Sequence, residues 1–342
     1  MVSAVFRRLF LIVGLLAVLI AVPASALAQA TPSPEADPAE AMRRGAEWLV
    51  SQQGDDGAWV GFNGASDPGV TIDAVIALAA AQSAGFKVDL TSAVAYLEAN
   101  GKAYAQDGTG QAAKLALAAV AVGQDPTTFA SFDSIEKMLK GYNPNTDMYG
   151  TGLYDTALVM LALGATGEDP PGIVLKSIDD KQMGDGSWSF DGTTSAGNGD
   201  TNTTAMLIQA LVAVKHTEGD LILHGVEYLQ GSQLAQGFAF QPGPGATPDA
   251  NSTALVVQAL FAAGEDPTAQ SWQNVFGSVL AFQTPSGSFS YQLDPKQDNL
   301  FATVQALPAL ARLPFPVHPA ATPTALTLNL AAFRESEPRW VA

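Results

Sequence analysis

The chain has no cysteine, only 3 histidines, and 16 Lys and Arg against 33 Asp and Glu in 342 residues. Without thiols it forms no disulfide, no thiolate metal site, no thiol nucleophile and no lipidated cysteine. The shortage of cations leaves a formal net charge of −17, which makes nucleic acid and anionic lipid surfaces poor partners. His216, His224 and His318 are scattered, so no metal is expected, and no motif asks for a cofactor. Long apolar runs are also scarce. Residues 9–22 form one, with Arg7 and Arg8 before it and Pro23 and the small residues Ala26, Ala28 and Ala30 after it. That pattern predicts a signal peptide over 1–30, cleaved after Ala28 or Ala30, and therefore a secreted or extracytoplasmic chain. The run is 14 residues long, short of the ~20 that cross a bilayer. No membrane span is expected once it is removed, and loss of Arg7 and Arg8 takes the charge from −17 to −19. A chain without disulfides stands on its core, and 47% hydrophobic residues supply one.

What the chain does have is repetition. A helix-like stretch runs into a Gly-rich turn and then an Ala-rich apolar helix. Four junctions are nearly literal: QGDDGAW at 53–59, QMGDGSW at 182–188, QLAQGFAF at 233–240 and QTPSGSF at 283–289. The segments that follow match as well, DTNTTA at 200–205 with DANSTA at 249–254. Such a unit cannot bury its apolar face alone and must pack on its neighbours. Units are expected at 41–86, 88–126, 133–170, 172–218, 220–267 and 271–313. Gly-x-Asp-Pro punctuates three of them at 123–126, 167–170 and 264–267. There Gly suits a left-handed helix end and Pro a new helix start. The Pro-rich stretch 31–40 reads as a linker, the repeats as one unit over 41–313, and 314–342 as an irregular tail with room for a short docked segment.

The two helices of each unit differ in kind. First helices such as 41–53 are amphipathic, whereas second helices such as 204–214 (TAMLIQALVAV) are apolar almost all round. A helix apolar on every face is buried on every face. An inner ring of apolar helices inside an outer ring of amphipathic ones satisfies both patterns. The expected fold is all-α, an (α/α)6 barrel of six helix-pair repeats, monomeric.

The Gln-to-Gly-x-Trp junction resembles the repeat of squalene–hopene cyclases, and the array is similar to the terpene cyclase/protein prenyltransferase αα-toroid superfamily. The resemblance implies that the junction glutamine and the aromatics Trp59, Trp188, Phe238 and Phe289 tie successive helices together at the barrel wall. It also implies a central cavity lined at the inner-helix starts. Asp73, Tyr149, Tyr154, Asp155, Asp200, Asn202, Asp249, Asn251, Tyr291, Asp298 and Phe301 are the ligand-binding candidates it suggests. The cyclase acid motif Asp-x-Asp-Asp-Thr-Ala reads DTNTTA here, so Asn202 stands at the proton donor and an amide has no proton to deliver. The prenyltransferase zinc site requires a cysteine that the chain lacks. The last helix, VQALPAL at 304–310, is similar to the ending of transcobalamin-type carriers, which makes a corrinoid one ligand class to consider.

The same residues have plainer readings. Asp and Asn at helix starts are favoured caps, worth about 1 kcal/mol each. NTT at 202–204 and NST at 251–253 fit glycosylation sequons, although capping accounts for their matched placement. The Asp55-Asp56-Gly57 turn lacks the ligand spacing of a calcium loop. The leading expectation is a non-catalytic exported barrel that binds a bulky, largely apolar molecule, such as an isoprenoid, a lipid or a corrinoid. One alternative is a divergent cyclase-like or glycan-acting enzyme using Asp200, Asp249 or Asp298, since glycosidases pair carboxylates. The other is a cell-surface interaction module.

Overall fold

The computed structural model describes residues 37–319. The expected signal peptide, most of the expected linker and the tail past residue 319 lie outside the described residues. Asp37 caps the first helix by accepting the Ala39 amide, and Pro38 occupies the first helical position, where its missing N–H costs nothing. Residues 38–40 are therefore helix rather than linker. The outer helices are α1 (Pro38–Ser51), α3 (Thr91–Gln106), α5 (Ser134–Leu139), α7 (Gly172–Asp180), α9 (Leu221–Gly231) and α11 (Val275–Ala281). The inner helices are α2 (Pro68–Ser83), α4 (Thr109–Ala121), α6 (Leu153–Thr166), α8 (Thr201–Ala213), α10 (Ala250–Ala263) and α12 (Leu300–Leu310). A two-residue hairpin, β1 (Tyr142–Asn143) and β2 (Met148–Tyr149), joins α5 to α6.

Each inner helix packs on the next, and α12 returns to α2, so the inner ring is closed. The outer helices straddle the seams, with α1 against α2 and α12, α3 against α2 and α4, and α9 against α8 and α10. The (α/α)6 barrel is what forms. Its inner helices come together on small side chains: ten residues past each helix cap stands an alanine, namely Ala77, Ala118, Ala162, Ala210, Ala259 and Ala309, all buried. Three inner helices end on glycines in the left-handed region, Gly123, Gly167 and Gly264. The prolines beyond two of them do not start the outer helix at once. Asp125 and Asp266 instead accept the Thr127 and Thr268 amides, and a short 3-10 turn precedes α5 and α11.

The junctions bind the ring together. Gln53 Nε2 donates to Gly57 O and reaches Ser92 at the start of α3. Gln182 does the same with Gly186 O and with Leu221 O at the start of α9. Gln233 donates to Trp272 O. Gln283 donates to Gly287 O and to Ala41 O on α1, joining the last repeat to the first. Gln53, Gln182 and Gln283 thus stitch their own turns to the next outer helix, and Gln233 reaches the short 3-10 turn that precedes α11.

At the C-terminal ends of the inner helices the tube is stopped. The segment 311–319 leaves α12 and crosses them: Gln258 donates to Leu313 O, Gln209 Oε1 accepts the Phe315 amide, and Ser83 donates to His318 O. The Arg312 guanidinium sits over the rings of Phe261 and Phe276, and Val317 is buried. A cleft of about 1030 Å³ lies beside this crossing, between the C-terminal ends of α2 and α4 and the start of α3, lined by Gln82, Phe86, Val88, Leu90, Val122 and Pro319.

Candidate functional site

The open end is built by the junction loops. In five repeats the backbone amide of the junction aromatic (Trp59, Tyr149, Trp188, Phe238 or Phe289) donates to a threonine hydroxyl one turn into the inner helix. That threonine donates in turn to the carbonyl four residues before it, as Thr204 does to Asp200 O at 2.7 Å and Thr253 to Asp249 O at 2.6 Å. The Trp59 and Trp188 indoles donate back to Leu49 O and Ile178 O on their own outer helices. With its buried ring pinned in this way, the loop projects its next aromatic outward, onto the preceding inner helix. Phe190 O accepts the Tyr154 amide at the start of α6, Phe240 O accepts the Thr201 amide of α8, and Tyr291 O accepts the Ala250 amide of α10. The rings of Phe190, Phe240 and Tyr291 are exposed. Phe62, 92% exposed, stacks on Phe301 of α12 with ring centres 4.3 Å apart. Tyr154 stacks on Phe190 at 5.5 Å. An aromatic rim therefore surrounds the mouth from α12 to α6.

Below the rim, the second residue after each inner-helix cap is Gly69, Gly110, Tyr154, Asn202, Asn251 or Phe301. The two glycines leave room that their neighbours use, Gly69 for the Tyr104 ring and Gly110 for the Asp155 carboxylate. One turn further in, about 6 Å deeper at 1.5 Å per residue, stand Asp73, Lys114, Leu158, Met206, Leu255 and Gln305. Asp73 and Lys114 form an ion pair at 2.6 Å across α2 and α4, their side chains 23% and 26% exposed. Desolvation works against the Lys114 ammonium, but Asp73 and the neighbouring Tyr104 outweigh it and lift its pKa above the ordinary lysine value. Deeper still, Ile76 and Leu117 are buried. Exposure therefore falls inward, from the rim through Asp73 and Lys114 to a packed lower barrel, the outline of a shallow bowl.

Solved structures of other proteins share this architecture. The type II terpene cyclase MstE from Scytonema superposes with a TM-score of 0.57 at 16% identity, over 80% of this chain and 97% of that one. The GH76A α-1,6-mannanase of Salegentibacter sp. gives 0.61 at 12% identity, over 81% and 98%. The fold is the αα-toroid. A substituted form of the same cyclase, solved with its substrate geranylgeranyl dihydroxybenzoate, gives 0.55 at 16% identity over 80% and 96%. At these identities the likeness is one of fold alone. No protein-family model matches the sequence, and no curated protein matches it.

Within this toroid the expected site residues separate. Tyr154, Asn202, Asn251 and Phe301 stand at the inner-helix starts, Tyr291 on a rim loop and Asp73 one turn deeper. Tyr149 is buried and serves as the third repeat's wall aromatic, edge-on to Tyr142. Asp298 is exposed and accepts from Thr284, Ser286 and Ser288, whose hydroxyls hold its carboxyl below the usual range. The cap of α12 is Asn299. Asp155 accepts the amide and hydroxyl of Thr151. Asp200 and Asp249 are 1% and 5% exposed and cap α8 and α10 through the Thr203 and Ser252 amides. Among the described residues no cluster of three or more His, Asp or Glu is placed to hold a metal, and no helix is long and apolar enough to cross a membrane.

Burial raises the pKa of Asp200 and Asp249 against the pull of the amides they accept. A carboxyl whose folded-state pKa lies above its unfolded value holds its proton more tightly when folded. Its favourable contribution is therefore present in acid and lost as pH rises through the folded pKa. Asp200→Asn keeps a cap, as Asn299 does in the sixth repeat, and removes the buried charge. The variant should match or exceed the parent in urea-unfolding stability at pH 7, with any gain gone near pH 3.8, the ordinary carboxyl value. Asp200→Ala should lose about 1 kcal/mol at either pH. A loss from the Asn variant at pH 7 equal to that of the Ala variant would refute the capping role.

Proposed function

We propose that this toroid is a non-catalytic binding protein that seats a bulky, largely apolar molecule in the bowl at its mouth. The observation that carries this is the rim: Phe190, Phe240 and Tyr291 are large side chains left in water two residues past their junction rings, and Phe62 is left in water three past Trp59, a cost that burial against a ligand would remove. At the depth of Asp73, the apolar and buried Leu158, Met206 and Leu255 occupy the neighbouring helices α6, α8 and α10. The aspartates proposed for chemistry are otherwise engaged, Asp200 and Asp249 as caps and Asp298 in a turn. The packed lower barrel and the segment 311–319 confine the ligand to the mouth. In this reading residues 1–30 direct export, the protein works as a monomer outside the cytoplasm, and isoprenoids, lipids and corrinoids are the classes to try.

Native mass spectrometry of the protein incubated with geranylgeraniol, a diacylglycerol and cobalamin tests the proposal. One class should be retained at one molecule per chain. Phe62→Ala and Phe190→Ala should each weaken that binding about tenfold, since burying part of a phenyl ring is worth about 1–2 kcal/mol. Phe62→Ala should leave the unfolding midpoint where it was, because its ring is exposed. Retention of none of the three, or binding indifferent to both substitutions, would remove the case for a binding bowl.

A further inference from the structure

The Asp73–Lys114 pair has no structural reason to exist. The other ion pairs among the described residues join positions one turn apart on outer helices: Arg43 with Glu40 and Glu47, Lys140 with Glu136, and Lys176 with Asp180. Asp73 and Lys114 instead bridge two inner helices inside the bowl. At the same depth on α6, α8 and α10 the wall is made by Leu158, Met206 and Leu255, which pack without charge. A shielded ion pair contributes to folding no more than apolar residues of similar size, and often less.

The pair also keeps unused capacity toward the bowl. An ammonium has three N–H donors and a carboxylate two acceptor oxygens. Lys114 meets only Asp73 Oδ1 in the ion pair, and no other hydrogen bond among the described residues engages either group. The phenols of Tyr104 and Tyr154 lie close enough to act on the Lys114 charge. On α12, the ring neighbour of α2, Gln305 stands at the same depth and its Oε1 is buried without a partner. Acceptors and donors thus run along one arc from α12 through α2 to α4, opposite the apolar arc of α6, α8 and α10.

Resting on the binding role proposed above, we infer that the Asp73, Lys114 and Gln305 arc is a polar subsite for the neutral, hydroxyl-bearing end of an amphiphilic ligand. The two charges sum to zero, so the subsite offers no net charge for an ionic head group to pair with. A carboxylate reaching Lys114 would meet Asp73 at close range, and an ammonium reaching Asp73 would meet Lys114. A hydroxyl suits both, donating to Asp73 while accepting from Lys114, and both bonds are charge-assisted.

Three probes with the same eight-carbon tail separate the possibilities: n-octyl β-glucoside below its micelle concentration, octanoate and octylammonium, titrated calorimetrically into the whole protein. The glucoside should bind about tenfold more tightly than either ion. In the Asp73→Leu/Lys114→Met double variant this preference should fall to within about twofold, while Phe62→Ala weakens all three probes alike. Gln305→Leu, a milder change, should lower the preference in part if the double variant does not fold. A preference for either ion, or a glucoside preference untouched by these variants, would overturn the polar subsite and leave the binding bowl standing. Failure of all three probes to bind would overturn the polar subsite, and the bowl with it if geranylgeraniol, the diacylglycerol and cobalamin are not retained either.

Discussion

Trp188→Ala should cost about 3–5 kcal/mol of folding stability, the range for emptying a fully buried large aromatic. The ring is buried, with Gly225 of α9 and Ile208 of α8 against its surroundings. Its indole donates to Ile178 O on α7 at 2.8 Å, its backbone amide to Thr204 on α8 at 3.1 Å, and its carbonyl accepts the Asp200 amide at 3.0 Å. One side chain therefore holds three helices in register. Trp188→Phe keeps most of the volume and loses the indole hydrogen bond, and should cost only about 1–3 kcal/mol. The chain tolerates phenylalanine at the equivalent places Phe238 and Phe289. Urea unfolding of both variants measures the difference. A loss under 1 kcal/mol for the alanine variant would mean that the junction ring does not hold the wall.

Gly186→Ala should be nearly as damaging, although it adds a single methyl. Gly186 has φ +86°, and a Cβ there would lie 2.2 Å from His224 O on α9. The left-handed conformation costs a non-glycine residue about 1–2 kcal/mol, and displacing a neighbouring backbone adds about 1–3 kcal/mol. Gly184, two residues earlier in the same turn, has open space around it and no strained φ. Gly184→Ala should stay within about 0.5 kcal/mol of the parent. Thermal unfolding of the pair gives the comparison, and equal midpoints would show that the turn can move away from α9. Gly57 and Gly287 occupy the same position in their repeats, against Ser92 O and Arg44 O, both at positive φ. The constraint therefore belongs to the repeat.

Much of this was legible because it is local and recurs. The Gln, Gly and aromatic of each junction lie within seven or eight residues of one another, and copies that agree at such spacing imply the same contacts. The threonine that locks each junction was equally present, four residues past the cap in Thr71, Thr156, Thr204, Thr253 and Thr303. It is easily missed because a threonine in a helix start is unremarkable by itself. The aromatic two residues beyond the junction ring, in Phe190, Phe240 and Tyr291, was a second periodic signal. Tyr149 reads as a mouth residue because the hairpin in the third repeat replaces the Gly-x-aromatic spacing. Asp298 reads as a helix start because it precedes the true cap by one position. Asn299 is extended, with φ −141° and ψ 119°, so the side chains of neighbouring residues point opposite ways. The single step turns Asp298 away from α12 and into the serine turn.

By itself the sequence determined the division into inner and outer helices and the closed sixfold barrel, because hydrophobic patterning and capping act within a few residues. Tertiary structure alone decided which residues meet at the axis. An inner helix that is apolar all round has no face that its sequence can declare, so nothing before folding distinguishes Leu158 or Met206 from their neighbours. Nor does it say that Lys114, the one cation of α4, stands at the depth of Asp73 on α2. Closing the ring sets that depth for all six helices at once. The segment 311–319 then crosses one end, and the aromatic rim at the other is the proposed site.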